Sequence, residues 1–168
     1  MAEQIEIVPL RRADPDAVDA LLDRAFEPAR RGRTAYKVRG NAAAVAALSF
    51  AGIEAGMLVG TVHCWPVLFR PDAGAPVPLV MVGPVAVAPE RQRNGLGRRL
   101  MEQALAAAAA DGRDDGLVLI GDPEYDERFF GFSAARTGAW RLPGPVARHR
   151  LLARGARVPD APGELGPV

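Results

Sequence analysis

Apolar and polar positions recur with two different periods along the chain, and these periods predict its strands and helices. Ile5, Ile7 and Leu10 alternate with polar residues, which indicates a first strand. Asp14-Pro15 begins a helix, because an N-cap acceptor precedes proline at the first helical position, and Pro28 ends it. The apolar positions of this helix are spaced for one face: Val18, Leu21, Leu22 and Ala25.

Three strand-like segments then predict an antiparallel meander. Residues 48–54 and 57–65 form a hairpin through Ala55-Gly56, and we expect Pro66 and the proline-rich turn after it to close the second arm. Residues 77–87 form the third strand. Before this hairpin, residues 30–40 form a polar, arginine-rich connection and residues 41–48 a short helix.

A buried strand follows the long helix of the second half. The helix covers residues 95–111, with Leu96, Leu100, Met101 and Leu105 on one side, and Gly112 stands at its C-cap. Residues 117–120 are a continuous apolar run. A strand, a helix and a strand from Val80 to Ile120 predict a crossover with parallel strands.

The last third predicts a short helix, final strands and a tail. The helix follows the turn at residues 121–124 and ends at Gly131, and residues 148–153 contain the last strand. Glycine and proline dominate from Gly155, so we expect a loosely packed tail. The organisation is therefore one domain, residues 1–155, and a tail, residues 156–168.

Composition narrows the class of protein. A length of 168 residues suits one domain with its own core. The net charge of +1 predicts no general attraction to nucleic acid or to membranes. Cys64 is the only cysteine, so no internal disulfide can form. The N-terminal residues 1–6 do not look like a signal peptide, and we expect a cytoplasmic protein without a metal.

The loop before the long helix carries the strongest chemical signal. Gly95 and Gly97 allow a tight turn and a close approach of backbone to a ligand. The unpaired N–H groups of the helix point back at this loop, and arginines add charge, which favours a phosphate. The arginines are Arg91, Arg93, Arg98 and Arg99. No Gly-Lys-Ser/Thr follows, so the loop is not a P-loop, and it is not the dinucleotide Gly-x-Gly-x-x-Gly.

This segment resembles the GNAT superfamily of N-acetyltransferases. Gln92-Arg93-Asn94-Gly95-Leu96-Gly97 matches the acetyl-CoA signature Gln/Arg-x-x-Gly-x-Gly/Ala, and residues 83–91 and Gly131-Phe132 are also similar to that family. The resemblance covers residues 5–133. It implies an α+β fold whose central mixed, mostly antiparallel twisted sheet has six to seven strands and about four helices. One strand should be bulged and splayed near residues 83–87.

The resemblance also implies a function and a site. Acetyl-CoA would be the cosubstrate, and the acceptor a primary amine on a small molecule or a peptide. Residues 30–48 would border the acceptor, unless they are only a solvated loop, and a homodimer is compatible with the family. The residues expected to bind acetyl-CoA are Val85, Ala86, Val87, Gln92, Arg93, Asn94, Gly95, Leu96, Gly97 and Arg98.

Acid and base roles are less directly marked. Proton acceptors could be Glu54, His63, Asp122, Glu124 or Asp126, or a base acting through water. The family's proton donor, a tyrosine four residues before the Gly-Phe pair, corresponds to Glu127, and the nearest tyrosine is Tyr125. We therefore assign catalysis to Tyr125, Asp122 and Glu124. The alternative that Tyr125 is only a packing residue stays open.

Two functions remain open at this stage. The first is N-acetyl transfer, and the second is a catalytically weak sensor or partner module that binds CoA or acyl-CoA, which the displaced tyrosine favours. Carboxylates crowd residues 111–127 and predict an acidic lip for a cationic amine, unless they are only a solvated face.

Overall fold

The computed structural model describes residues 4–168, so the first three residues of the segment judged not to be a signal peptide lie outside the described part. The strands and helices, in chain order, are β1 (Glu6–Pro9), α1 (Pro15–Phe26), α2 (Thr34–Arg39), β2 (Phe50–Glu54), β3 (Met57–Pro71), β4 (Val77–Val87), α3 (Leu96–Ala110), β5 (Leu117–Ile120), α4 (Pro123–Phe130), β6 (Trp140–Arg141), β7 (Leu151–Arg154) and β8 (Gly163–Gly166).

One mixed sheet organises the fold. Its strands follow the order β1-β2-β3-β4-β5-β7, and β8 pairs with both β3 and β6. Among the described strands, only the β4–β5 and β6–β8 pairs are parallel. The predicted meander and the parallel crossover are confirmed. Over residues 4–168 the sheet has eight strands rather than six to seven, because the short strands β6 and β8 add to it.

The helices cover both faces of the sheet. Val80 and Val82 pack into a core with α1 and α3, whereas Leu79 and Met81 face a second core with Val38 of α2. This alternation explains why the central strands are continuous apolar runs. Asp14 caps α1 as predicted, accepting a hydrogen bond from the backbone N–H of Asp16 at 3.2 Å.

Two predicted boundaries are wrong. Strand β3 does not close at Pro66, because β4 pairs with residues on both sides of it, and the strand continues to Pro71. The helix predicted over residues 41–48 is reduced to a 3-10 turn, Ala46–Leu48, and the predicted connection before it contains α2, which Gly40 ends with φ +57°. Buried Thr34 and Val38 anchor α2 to the domain, which the polar composition of this segment conceals.

The C-terminal segment is packed rather than loose. Residues Gly163–Gly166 form β8, which pairs with β3 from Leu68 to Pro71. Val158 and Leu165 are buried in the second core. Glycine therefore permits close strand contact here, because a Cβ on Gly163 would lie 2.5 Å from the carbonyl oxygen of Arg70. The division of the chain at residue 155 stays a prediction.

Strand β4 is bulged and separates from β5. Val62 pairs with Val85 and Cys64 with Val82, so Gly83 and Pro84 together lie opposite His63. Within the described residues, β4 pairs with β5 only at Val80 and Met81. The two parallel strands therefore diverge from Val82 onward, which matches the splayed strand expected near residues 83–87.

Candidate active site

A cavity of about 780 Å³ opens where β4 and β5 diverge. Segments from both halves of the chain form its walls. Those from the sheet and from α3 and α4 are Met81–Val85, Gly97, Met101, Leu119–Gly121, Tyr125, Asp126 and Phe130. Those on the opposite side are Phe26, Arg30, Gly32–Tyr36, Arg39, Pro145–Ala147 and Arg150. Within the predicted acceptor border, residues 30–48, the described lining residues all lie between Arg30 and Arg39.

The strand β4 offers its backbone to this cavity. Its residues after Met81 are hydrogen bonded to β3 on one side only, so their N–H and C=O groups on the other side face the gap. An extended ligand with amide groups could pair with this edge as another strand would.

The start of α3 forms the adjoining wall. Gly95 is the N-cap, in the left-handed region with φ +83°, and Asn94 Oδ1 accepts a hydrogen bond from the N–H of Leu96 at 3.4 Å. A Cβ built on Gly97 would lie 3.6 Å from Val87 Cγ2 and 3.9 Å from Val85 Cγ1. The absence of a side chain at Gly97 thus keeps space open between the helix and β4.

The loop arginines do not act as one positive cluster. Arg91 is paired with Glu54, through Nε at 3.0 Å to both carboxylate oxygens, and this pairing lowers the pKa of Glu54. Arg98 pairs with Glu102 at 3.0 Å, and its guanidinium lies 4.5 Å from the ring centroid of Phe129. Arg99 donates to the carbonyl of Ile5. Glu54 is therefore an anchor of the loop, which makes it a poor proton acceptor.

The residues predicted to bind acetyl-CoA fall into three groups. Val85 and Gly97 line the cavity. The side chains of Ala86 and Leu96 are buried in the core, so only their backbone could meet a ligand. Val87 is half-buried at the end of β4, and five lie on the exposed loop and first turn: Gln92, Arg93, Asn94, Gly95 and Arg98.

Of the three predicted catalytic residues, only Tyr125 is among the described residues that line the cavity. Tyr125 lines the cavity with 39% of its surface exposed, and its ring contacts Phe129 and Phe130. Asp122 caps α4 by accepting a hydrogen bond from the N–H of Glu124 at 3.0 Å. Both Asp122 and Glu124 are exposed and lie outside the cavity lining.

Asp126 is the carboxylate that the fold does bring into the cavity. It is half-buried, and burial raises the pKa of its carboxyl, with the Asp122 charge acting in the same direction. Its Oδ2 accepts a hydrogen bond from the N–H of Asp122 at 2.9 Å. A Cβ on Gly121 would lie 2.2 Å from this oxygen, so the glycine makes the arrangement possible. From the sequence alone, Asp126 is only one of five candidate proton acceptors.

Two other residues are unsuited to charged chemistry. Burial, followed by the charges of Arg39 and Arg30, lowers the pKa of His63 to about 4, so its imidazole is neutral at physiological pH. Burial raises the pKa of Cys64 to about 12, so its thiol is not a nucleophile.

The side of the cavity formed by lining residues from 26–39 and 145–150, here called the acceptor wall, is basic rather than acidic. Of the carboxylates between residues 111 and 127, only Asp126 is among the described lining residues. Four arginines line the same cavity: Arg30, Arg33, Arg39 and Arg150. The solvated-face alternative is therefore favoured over the predicted acidic lip, because the other carboxylates of this segment lie outside the described lining.

The described residues offer neither a metal site nor a membrane-spanning helix. Residues 4–168 contain no group of three or more His, Cys, Asp or Glu side chains placed to hold a metal ion. Over the same residues, no helix is long and apolar enough to cross a membrane.

Comparison with known proteins identifies the family. The model of the acetyltransferase (GNAT) domain matches residues 6–119, which is more than half of the chain. The protein therefore belongs to the GNAT acetyltransferases, and the resemblance in the sequence is confirmed. No curated protein matches the chain.

Solved structures share the fold. The GNAT family N-acetyltransferase YhbS from Escherichia coli, crystallised with CoA, superimposes with a TM-score of 0.71 at 23% identity, over 98% of this chain and 88% of YhbS. A GNAT family acetyltransferase from Brucella melitensis, crystallised with acetyl-CoA, has a TM-score of 0.59 at 27% identity, over 92% of this chain and 98% of its own. The α+β GNAT fold is thus confirmed.

Proposed function

We propose that this protein transfers the acetyl group of acetyl-CoA directly to the primary amine of an acceptor bound in the same cavity. One observation carries the proposal: the open edge of β4, the start of α3 and the basic acceptor wall all border one cavity. Family membership and the CoA-bound and acetyl-CoA-bound relatives support it.

The residues present fit acetyl-CoA. The free edge of β4 at Val85 and Val87 would pair with the amides of the pantetheine arm. The N–H groups from Gly95 to Arg98, with the side chain of Arg93, would hold the pyrophosphate. Acetyl-CoA supplies an acetyl group activated as a thioester.

Backbone and two side chains would carry the chemistry. N–H groups of β4 beyond the bulge would stabilise negative charge that develops on a carbonyl oxygen. Asp126 would take a proton from the acceptor ammonium, directly or through one water, since its raised pKa makes it a better base than a solvated aspartate. Tyr125 would give a proton to the leaving thiolate. The thiol of Cys64 is buried and its pKa is raised, so it is unsuited to carry the acetyl group covalently, which favours direct transfer from acetyl-CoA to the amine.

One observation favours the second candidate, a CoA-binding module with weak turnover. Glu127, at the position where the family has its tyrosine, is exposed and lies outside the cavity lining, and Tyr125 is only partly enclosed. A protein without a well-placed acid would retain the CoA site and lose rate.

Turnover with a panel of amines tests the proposal. Purified protein, acetyl-CoA and each amine are combined, free CoA thiol is measured, and the acetylated amine is identified by mass spectrometry. We expect thiol release that depends on the amine, together with an N-acetyl product. Tight acetyl-CoA binding without release for any amine would support the binding module instead.

A further inference from the structure

The acceptor wall contains an arginine held by two aromatic rings. Arg39 is the last residue of α2 and lines the cavity. Its guanidinium carbon lies 3.7 Å from the ring centroid of Tyr36 and 3.9 Å from that of Trp65. At these distances both rings cover guanidinium faces, so the N–H donors, which lie in the guanidinium plane, are left for another partner.

Both rings are themselves fixed. The hydroxyl of Tyr36 accepts a hydrogen bond from Arg30 Nη1 at 2.6 Å, and Arg30 is only 3% exposed. The indole N–H of Trp65 donates to the carbonyl oxygen of Gly83 at 2.7 Å. Arg39 is therefore preorganised, and Trp65 connects it to the bulge where β4 opens.

The charge of Arg39 is unbalanced within the described residues. Arg30 pairs with Asp19 at 2.6 Å and Asp23 at 3.1 Å. In contrast, no carboxylate or carbonyl between residues 4 and 168 accepts a hydrogen bond from Arg39 or pairs with it. Burial of Arg39 lowers the pKa of its guanidinium, yet arginine stays charged, so an arriving anion would recover part of the desolvation penalty.

The other lining arginines are already engaged. Arg150 donates through Nε to the carbonyl of Gly121 at 2.9 Å, and Arg33 donates through Nη2 to the carbonyl of Phe26 at 3.5 Å. Arg39 is thus the lining arginine that has neither an ion pair nor a carbonyl acceptor in the described chain.

We propose that Arg39 binds a carboxylate of the acceptor, so that the acceptor is a free amino acid or a similarly small amine that bears a carboxylate. This inference rests on the proposed acetyl transfer. A planar guanidinium matches a carboxylate with two parallel hydrogen bonds. Trp65 contacts Arg39 and also donates to the carbonyl of Gly83, so the arginine lies one side chain from the β4 bulge, and a small acceptor could place its carboxylate at Arg39 and its amine near β4.

Paired substrates and matched variants test the assignment. Each of the common L-amino acids, and β-alanine, is compared with the amine that lacks its carboxylate, and β-alanine also with O-phosphoethanolamine, by kcat/KM for thiol release. The variants are Arg39→Gln, Arg39→Lys and the control Lys37→Gln. Lys37 lies on the same helix, is exposed, and does not line the cavity.

We expect at least one amino acid to be acetylated about 10- to 100-fold more efficiently than its decarboxylated partner, the range for a charged hydrogen-bonded pair. Arg39→Gln should remove that preference, because it should lower kcat/KM for the amino acid more than for the decarboxylated amine, and retained acetyl-CoA binding shows that the variant folds. Arg39→Lys should recover part of the preference, because it keeps the charge but lacks the fork. Lys37→Gln should match the wild type.

Other outcomes overturn the inference. Acetyl-CoA binding with no amino acid acetylated, or equal losses for both members of a pair in Arg39→Gln, would show that Arg39 does not bind an acceptor carboxylate. A preference for O-phosphoethanolamine over β-alanine would assign the arginine to a phosphate instead. Failure to bind acetyl-CoA at all would refute the proposed function, and the inference with it.

Discussion

Acid should destabilise this protein through His63. The residue lies on β3 opposite the bulge, is 7% exposed, and its ring is parallel to that of Trp65 at a centroid distance of 5.5 Å. Its Nδ1 is buried and has no hydrogen-bond partner in the described part of the chain. Burial first, then the charges of Arg39 and Arg30, lower the pKa of His63 to about 4. The fold therefore holds a neutral imidazole.

The size of the effect follows from proton linkage. The unfolded chain binds a proton at His63 near pH 6.5, and the folded chain only near pH 4, so the unfolded state gains stability as the pH falls between these values. At about 1.4 kcal/mol for each pH unit, the full window corresponds to about 3 kcal/mol. Between pH 7.5 and pH 5 the free energy of unfolding should fall by about 2 kcal/mol, because pH 5 is still above the pKa of the folded state and only part of the titration range is crossed.

Urea unfolding of matched variants isolates this contribution. The wild type, His63→Gln and His149→Gln are unfolded at pH 7.5 and pH 5, and His149 is the exposed second histidine. The wild type and His149→Gln should each lose about 2 kcal/mol more than His63→Gln on acidification, since carboxylates contribute equally to all three. Equal losses in all three proteins would refute the burial of a neutral His63.

Three further substitutions test the assigned roles. Tyr125→Phe should lower kcat by roughly 10²-fold or more in thiol-release assays without changing acetyl-CoA affinity, whereas an unchanged kcat would make Tyr125 a packing residue. If Asp126 is the base, wild-type kcat/KM should fall as the pH decreases, around a pKa above the ordinary value of 3.8. Asp126→Asn should abolish this acidic limb of the pH–rate profile. A variant that keeps the limb would exclude Asp126 as the base. Gly60→Ala should reduce the free energy of unfolding by roughly 1–3 kcal/mol in urea, because its Cβ would lie 2.9 Å from methyl groups of both Leu96 and Leu100; unchanged stability would mean that this core can shift.

Local chemistry explains which elements of the fold were predictable. Asp14-Pro15 marks the start of α1, and the apolar runs mark β4 and β5, because capping and two-sided burial leave direct traces in sequence. The position of α2 leaves little trace, since one buried valine, Val38, anchors a segment that is otherwise polar. Strand β8 is hidden for another reason: its glycines suit close strand contact, but in sequence they are typical of a loose tail.

The candidate site likewise has parts that the sequence predicts and parts that it does not. Its backbone parts, at Gly83–Val87 and Gly95–Gly97, are visible because glycine and proline record backbone geometry. Its side-chain parts depend on tertiary placement. Arg39 and Trp65 are 26 positions apart in the printed sequence and meet only after α2 packs on β3. Asp126 differs from its exposed neighbours by its direction on α4, which composition does not encode.

Calorimetric titration with acetyl-CoA tests the central claim most directly. A glutamate at Gly97 suits the first turn of a helix and meets only ordinary contacts at Cβ, so Gly97→Glu should fold, while its carboxylate fills the gap and repels phosphate. Gly138→Glu is the control, because Gly138 is exposed and lies outside the cavity. The account predicts saturable binding by the wild type and Gly138→Glu, and none by Gly97→Glu. Equal binding by all three, or no binding by the wild type, would contradict it.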